Sequence, residues 1–300
     1  MKSLVTGGAG FIGGHCVDQL KEMGHDVVVV DNECASESDN YYWRDDTHNH
    51  KIDIMDYDKL CPLFEGVDHV YHFAAESRIQ PSIIDPRKAI DVNVCGTVNV
   101  CQAAREHGVK RMTYSGTSAA YGLINKPPLH EDMPTDCLNP YSTGKIGGEE
   151  VCKMYTKLFG LETIRFRYFN VYGDRSPTKG QYAPVIGIFF KQKQNKEPMT
   201  IVGDGTRKRD YIHVSDIVQA NILANNCEDK RCVGELFNLG YGTSHSVLDL
   251  VKMIGGPFMH VEDREGEADE TLADNSKAKD ILKWTPQVRI EEWIYNNKPA

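Results

Sequence analysis

Short runs of β-branched residues alternate with helix-compatible segments over the first half of the chain. The most apolar run is four consecutive valines at 27–30, which is typical of a strand covered on both faces. Asp85 followed by Pro86 favours the start of a helix, because the carboxylate can cap the first turn and proline fits its first position. We expect strands at 3–6, 26–30, 50–52, 67–73, 109–114 and 162–167. The helices are expected near 11–23, 56–64, 86–107 and 141–159.

This regular alternation ends after residue 167. Loops lengthen at 170–181 and 203–209, and shorter strands and helices follow without a fixed order. Alternating strands and helices predict a parallel sheet covered by helices, so the predicted fold class is α/β. We expect one domain at 1–168 and a smaller mixed α/β domain at 169–300, with residues 214–239 returning to the first domain.

Composition narrows the possible partners. The chain has 300 residues, and 43 acidic against 34 basic residues give a net charge of −9. An acidic chain without a Lys/Arg tract is poorly suited to nucleic acid or an anionic membrane as its main partner. No apolar stretch reaches the ~18 residues of a membrane span, and the N-terminus lacks the pattern of a signal peptide. The nine cysteines form no C-x-x-C pair, which favours reduced thiols, a cytoplasmic location and no metal site.

Residues 7–13 read G-G-A-G-F-I-G, a G-x-x-G-x-x-G motif between a predicted strand and a predicted helix. Glycines let the backbone approach a pyrophosphate, which binds the N–H groups at the start of the helix. Asp31 ends the next predicted strand, where a carboxylate accepts hydrogen bonds from ribose hydroxyls and repels a 2′-phosphate. The motif predicts a Rossmann-type, doubly wound sheet that binds NAD in preference to NADP. A glycine-rich turn that binds no ligand is the alternative.

A second motif, Y-x-x-x-K, places Tyr141 and Lys145 on one face of a predicted helix. A free phenol has a pKa near ~10 and is a poor base at neutral pH, but a nearby ammonium group and a positive nicotinamide ring lower that pKa. The strand at 109–114 runs into hydroxyl-bearing residues at 115–118, and ligands of open parallel sheets bind at such carboxyl ends. Alone, Y-x-x-x-K is a common and mostly structural pattern.

In this order, the three motifs resemble the extended short-chain dehydrogenase/reductase family, and within it the nucleotide-sugar 4-epimerases. The resemblance covers nearly the whole chain, including R-Y-F-N-V-Y-G at 167–173 and R-D-Y-I-H-V at 209–214. It implies NAD as cofactor, a UDP-sugar as substrate, and Thr117, Tyr141 and Lys145 as catalytic residues. The family's cofactor contacts fall on Gly7, Gly10, Phe11, Ile12, Gly13, Asp31, Asn32, Asp53, Ile54, Phe73, Ala74, Ala75, Asn93, Ser115, Tyr141, Lys145 and Tyr168. Its substrate contacts fall on Ser118, Asn170, Tyr182, Ala183, Val185, Val202, Arg209, Arg264, Glu267 and Thr271.

Several positions depart from related families. Ser118 and Ala119 follow Thr117, where the family's dehydratases and decarboxylases carry acids and its 3,5-epimerases a cysteine, so chemistry beyond C4 oxidation and reduction is disfavoured. Val202 stands where some relatives place an aromatic ring against uracil, so the identity of the nucleotide base is left open.

Thr271 aligns with a tyrosine of more restrictive epimerases, so we expect room for an N-acetyl group at C2 of the sugar. Arg209 and Arg264 are expected on the diphosphate, which a planar guanidinium grips well.

The expected function is therefore epimerisation at C4 of a UDP-sugar through a transient 4-keto intermediate. The expected pairs are UDP-glucose with UDP-galactose, and UDP-N-acetylglucosamine with UDP-N-acetylgalactosamine. One alternative is a nucleotide-sugar dehydrogenase or reductase with net redox; another is a catalytically silent NAD-binding regulatory protein. The resemblance also implies a homodimer formed by the helices at 86–107 and 141–159, although apolar residues such as Val98 and Val151 suit an internal core equally well.

Overall fold

A seven-stranded parallel sheet forms the centre of the protein in the computed structural model, which describes residues 1–36, 40–178, 184–263 and 268–299. The strands of the chain are β1 (Lys2–Thr6), β2 (Asp26–Asp31), β3 (His48–Lys51), β4 (His69–His72), β5 (Arg111–Thr117), β6 (Glu162–Tyr168), β7 (Asn170–Tyr172), β8 (Met199–Val202), β9 (Lys208–His213), β10 (Leu236–Leu239), β11 (Ser244–Ser246) and β12 (Phe258–Val261). The central sheet has the order β10-β6-β5-β4-β1-β2-β3. The strand order reverses between β1 and β4, where the ligand crevice of a doubly wound sheet lies.

Helices cover both faces of this sheet. They are α1 (Phe11–Glu22), α2 (Tyr57–Leu60), α3 (Ile79–Ile84), α4 (Pro86–Ile90), α5 (Thr97–Glu106), α6 (Pro140–Phe159), α7 (Val185–Gln194), α8 (Val214–Asn225), α9 (Val247–Ile254), α10 (Ser276–Ile281) and α11 (Ile290–Asn297). A π-helical segment, Asp91–Gly96, joins α4 to α5, so one continuous helix runs from 86 to 106. The Asp85 carboxylate accepts a hydrogen bond from the Lys88 N–H at 3.0 Å and caps α4, which confirms the predicted start. No helix of the described residues is long and apolar enough to cross a bilayer.

The chain after β6 contributes to two cores. A three-stranded sheet (β11-β9-β7), a two-stranded sheet (β12-β8) and helices α7, α9 and α11 enclose an apolar cluster of their own. Strand β10, in contrast, pairs in parallel with β6, and Val218 of α8 packs with Val17 and Leu20 of α1. The described structure confirms the predicted α/β class. It also extends the strand expected at 109–114 to Thr117, because residues 115–117 keep their ladder with β6.

The turn between β1 and α1 is tight enough to require glycine at particular positions. Gly7 has φ +69°, a left-handed conformation that side chains disfavour. A Cβ on Gly13 would lie 2.1 Å from the Gly7 carbonyl oxygen, whereas a Cβ on Gly14 would meet nothing closer than a Tyr42 ring carbon at 3.6 Å. Gly14 therefore has room for a side-chain methyl group, whereas Gly13 does not.

Gly13→Ala should lower the free energy of unfolding by ~1–3 kcal/mol, the typical cost of overfilling a packed site. Gly14→Ala is the matched control and should be neutral or stabilising by up to ~1 kcal/mol, since alanine is the better helix former. Thermal and urea unfolding of the two variants and the wild type measure the difference. Equal stability of both variants would show that the turn does not need glycine at 13.

Candidate active site

One cavity of about 810 Å³ opens at the carboxyl ends of the central strands. Its volume is at the upper end of the ~300–1,000 Å³ range of ligand pockets. The structure describes most of the residues that were predicted to be catalytic or to bind cofactor or substrate. All of these described residues except Asn93 line this cavity. The predicted contacts that lie outside the described residues are Tyr182, Ala183, Arg264 and Glu267.

The glycine turn presents the N-terminus of α1 to this cavity. The N-cap is Gly10, which has no side chain to cap the helix, and Gly10, Phe11, Ile12 and Gly13 all line the cavity. Unpaired N–H groups and the positive end of the helix dipole together favour an anion at this place. The turn therefore fits the pyrophosphate of a dinucleotide.

Asp31 lies beside this turn at the end of β2. Its carboxylate accepts hydrogen bonds from the backbone N–H groups of Ala9 (3.2 Å) and Glu33 (2.8 Å) and from the Tyr41 hydroxyl (3.1 Å). Burial raises the pKa of Asp31, and these hydrogen bonds oppose the rise. Farther along the cavity, the Asn32 side chain donates to Asp53 at 2.9 Å. Asp31 lines the cavity beside the glycine turn, and its contact with ribose stays a prediction.

A cluster around Asp18, which sequence reasoning missed, borders the dinucleotide end. The Asp18 carboxylate accepts hydrogen bonds from the Tyr42 hydroxyl (2.5 Å), from Arg44 (2.8 Å) and from Arg175 (2.6 Å). The Arg175 guanidinium also lies 4.7 Å from the centre of the Tyr42 ring and lines the cavity. The cluster fastens the segment after β2 and the segment after β7 to the helix that follows the glycine turn.

The three predicted catalytic residues meet at the end of β5. Thr117 is the last residue of β5, Tyr141 lies in the first turn of α6, and Lys145 lies one turn further. Burial raises the pKa of Tyr141, while a hydrogen bond with Thr117 and the Arg78 guanidinium lower it. Burial lowers the pKa of Lys145 to about 8. Thr117 and Arg78 thus favour the phenolate, and Arg78 had no motif to mark it.

The other end of the cavity is built by the chain after β6. The Asn170 side chain donates to the Asp210 carbonyl at 3.0 Å, and Arg209 donates to the Ala268 carbonyl at 2.8 Å. The Thr271 N–H donates to the Lys208 carbonyl at 3.1 Å, and its buried hydroxyl has no hydrogen-bond partner among the described residues. Also at this end are Ser118, Val185 and Val202.

Asn93 is the described residue of the predicted set that does not line the cavity. It is 2% exposed. Its Oδ1 accepts a hydrogen bond from the Glu76 N–H at 2.9 Å, and its Nδ2 donates to the Glu76 carbonyl at 2.9 Å. Both ends of the amide are therefore used to hold the loop at 74–78, which lines the cavity. Asn93 therefore holds this loop, and its contact with the cofactor stays a prediction.

The fold and this cavity define an α/β enzyme built around a dinucleotide. A family model described as GDP-mannose 4,6 dehydratase matches residues 4–296. The chain therefore belongs to this family of extended short-chain dehydrogenases/reductases, as its motifs indicated.

Relatives narrow the class further. The chain is similar to a putative UDP-glucose 4-epimerase of Methanocaldococcus jannaschii, with 36% identity over 98% of both chains. It is similar to the solved UDP-glucose 4-epimerase of Thermotoga maritima with UDP-glucose (TM-score 0.91, 32% identity, 98% of this chain and 96% of that one). It also resembles the UDP-N-acetylglucosamine 4-epimerase of Methanobrevibacter ruminantium M1 in complex with UDP-N-acetylmuramic acid (TM-score 0.91, 29% identity, 98% and 96%). Other similar structures hold NAD. The predicted class, an NAD-dependent nucleotide-sugar epimerase, is confirmed.

The acid at Asp31 makes a prediction about the bound nucleotide. Acid denaturation of the purified protein should release NAD or NADH, because a buried carboxylate repels a 2′-phosphate. Asp31→Asn should lower the nucleotide content several-fold, whereas Asp45→Asn, a change at an exposed aspartate, should not. Chromatography of the extract measures both; NADP as the main nucleotide would contradict the assignment.

Proposed function

We propose that the protein interconverts UDP-sugars that differ in configuration at C4, with NAD as a reusable oxidant. One observation carries the proposal: a single cavity brings together the glycine turn, the Thr117–Tyr141–Lys145 group and the Arg209–Thr271 wall. The first fits a dinucleotide, the second a proton transfer, and the third a phosphorylated sugar. We assign residues 1–168 with 214–239 to the cofactor and the remaining residues to the substrate.

In the proposed mechanism, Tyr141 takes the proton of the sugar C4 hydroxyl, directly or through Thr117, and later returns it. NAD⁺, held by the glycine turn and Asp31, would supply reversible hydride transfer at C4, by way of a 4-keto sugar. The Lys145 ammonium favours the phenolate in the loaded enzyme. Arg209 grips the diphosphate, so that the sugar can turn while it stays anchored. General acid–base catalysis of this kind contributes ~10²–10⁴ in rate.

A redox enzyme of the same family is the second candidate, and turnover separates the two. Purified protein is incubated with UDP-glucose, UDP-galactose and their N-acetylated forms, and the products are resolved by chromatography while the absorbance of reduced nicotinamide is followed. Epimerised products without accumulating reduced nicotinamide support the proposal. Stoichiometric reduced nicotinamide would favour the dehydrogenase, and neither signal would favour a silent NAD-binding protein.

We also infer that the enzyme works as a homodimer. The support is the family resemblance of α6 and of the continuous helix at 86–106, together with exposed apolar residues at the end of α6. Leu158 is 70% and Phe159 42% exposed. Light scattering coupled to size-exclusion chromatography gives the molar mass in solution; a mass near 33.7 kDa would overturn this inference.

Tyr141→Phe tests the proposed base. It removes one oxygen and keeps the ring, so we expect kcat to fall by at least ~10² while NAD stays bound. Tyr155→Phe is the matched control: it changes a tyrosine of the same helix whose hydroxyl donates to Gln102 at 3.0 Å, and it should keep nearly full turnover. Retention of most activity in the Tyr141 variant would remove this residue from the mechanism.

Thr271→Tyr tests the pocket wall. A larger side chain should suppress turnover of the N-acetylated substrates by ~10–100-fold in kcat/KM relative to the others, because overfilling costs ~1–3 kcal/mol. Thr271→Val keeps the volume and removes the hydroxyl, so it should preserve the ratio of the two activities. A wild type that acts only on the non-acetylated pair would show that Thr271 does not set the pocket size.

A further inference from the structure

A buried carboxylate lies one helical turn beyond Lys145. Glu149 follows Lys145 by four residues on α6, so the two side chains leave the helix on the same face. Both carboxylate oxygens of Glu149 accept hydrogen bonds from Arg167, from Nε at 3.0 Å and from Nη2 at 2.9 Å. Glu149 is 2% and Arg167 3% exposed. This is a bidentate ion pair sealed from solvent, and the proposed mechanism does not use it.

The pair touches the strand that ends in Thr117. Gly116 is paired with Arg167 in the ladder between β5 and β6, and a Cβ on Gly116 would lie 2.8 Å from Glu149 Oε1. Buried ion pairs seldom add net stability, because desolvation offsets their attraction. The effect of this ion pair on the charged groups beside it is therefore a better explanation for its presence than stability.

Few groups close to Lys145 can influence the charge of its side chain. Its ammonium group lies 4.9 Å from the centre of the Tyr114 ring on β5. On β4, burial lowers the pKa of His72 to about 3, so that ring is neutral at physiological pH. Tyr141 and the Cys152 thiol lie on α6 itself, and Glu149 is the carboxylate that most opposes the effect of burial on Lys145.

Neighbouring arginines stabilise the ionised form of Glu149. Burial raises the pKa of this carboxyl, and the hydrogen bonds and charge of Arg167 oppose the rise, with a further contribution from Arg165 on β6. Glu150, the other nearby carboxylate, is exposed and lies 3.3 Å from Lys153. The charge available to Lys145 inside the protein is therefore that of Glu149.

We propose that Glu149, held by Arg167, is a positioning residue that keeps the Lys145 side chain protonated for the proton transfer at Tyr141. The inference deepens the proposed function and rests on it for its kinetic test. Without the carboxylate, no neighbouring carboxylate among the described residues opposes the burial that lowers the pKa of Lys145.

The test is the pH profile of kcat for Glu149→Gln. Loss of the charge should move the alkaline fall of activity at least one pH unit lower, a tenfold change in proton affinity. Glu149→Asp keeps the charge and should keep the midpoint, even if kcat decreases. Glu150→Gln removes an equal charge from the same helix and should leave the profile unchanged. A uniform loss of kcat in Glu149→Gln, with the midpoint of the wild type, would assign Glu149 a structural role only.

A second variant covers the case in which Glu149→Gln does not fold. The double substitution Glu149→Met with Arg167→Met replaces the buried pair by apolar groups, which proteins often tolerate. We expect its midpoint to be lower than that of the wild type, and an unchanged midpoint overturns the proposal.

A measurement that does not depend on catalytic turnover tests the role of Glu149 independently of the proposed function. In the NAD complex, ultraviolet difference absorbance follows the ionisation of Tyr141, and the Tyr141→Phe variant identifies its signal. Loss of the Lys145 charge should raise the pH at which Tyr141 ionises in Glu149→Gln. If the wild type fails to epimerise but this shift appears, the proposed function is wrong and the role of Glu149 stands; if the shift is absent, the role fails by itself.

Discussion

Close contact of α6 with the sheet and with the π-helical segment is the constraint on which the site depends. A Cβ on Gly148 would lie 2.2 Å from the Tyr114 hydroxyl, and one on Gly147 would lie 2.6 Å from a methyl group of Val94. The Tyr114 hydroxyl, which occupies this narrow space, donates to the Lys145 carbonyl at 2.9 Å. Because the helix is fixed at this distance from β5, Tyr141 reaches Thr117 without any flexible loop between them.

Residues of the neighbouring segments also hold the first turn of α6 in place. Asn139 caps α6 by accepting from the Ser142 N–H at 2.9 Å, and Ser82 of α3 accepts from the Tyr141 N–H at 3.1 Å. The π-helical segment passes α6 where Gly144 leaves room for Asn93. A widened turn is a common feature of functional sites; here it directs the Asn93 amide to the loop at Glu76. The first turn of α6 is therefore held from its cap, from α3 and from the segment before α5.

Sequence reasoning identified the parts of the site that depend on local geometry. The spacing of Tyr141 and Lys145, the glycine turn and the position of Asp31 all follow from the periods of a helix or a strand. It ended β5 too early, because Ser115 and Gly116 look like loop residues until Gly116 is placed against β6. The resemblance places Asn93 beside the cofactor but does not predict that its amide holds the backbone of Glu76.

The groups that were missed have no local pattern because their partners are distant in the chain. Arg175 and Asp18 are 157 residues apart, and Tyr42 and Asp18 are 24 apart. A charged side chain on an exposed helix is ordinarily solvated, and nothing in the sequence around Asp18 distinguishes it. In the folded chain its carboxylate joins three segments, each of which continues toward the cavity. Asp18 thus holds the segment after β7 against the helix whose N-terminus lines the cavity.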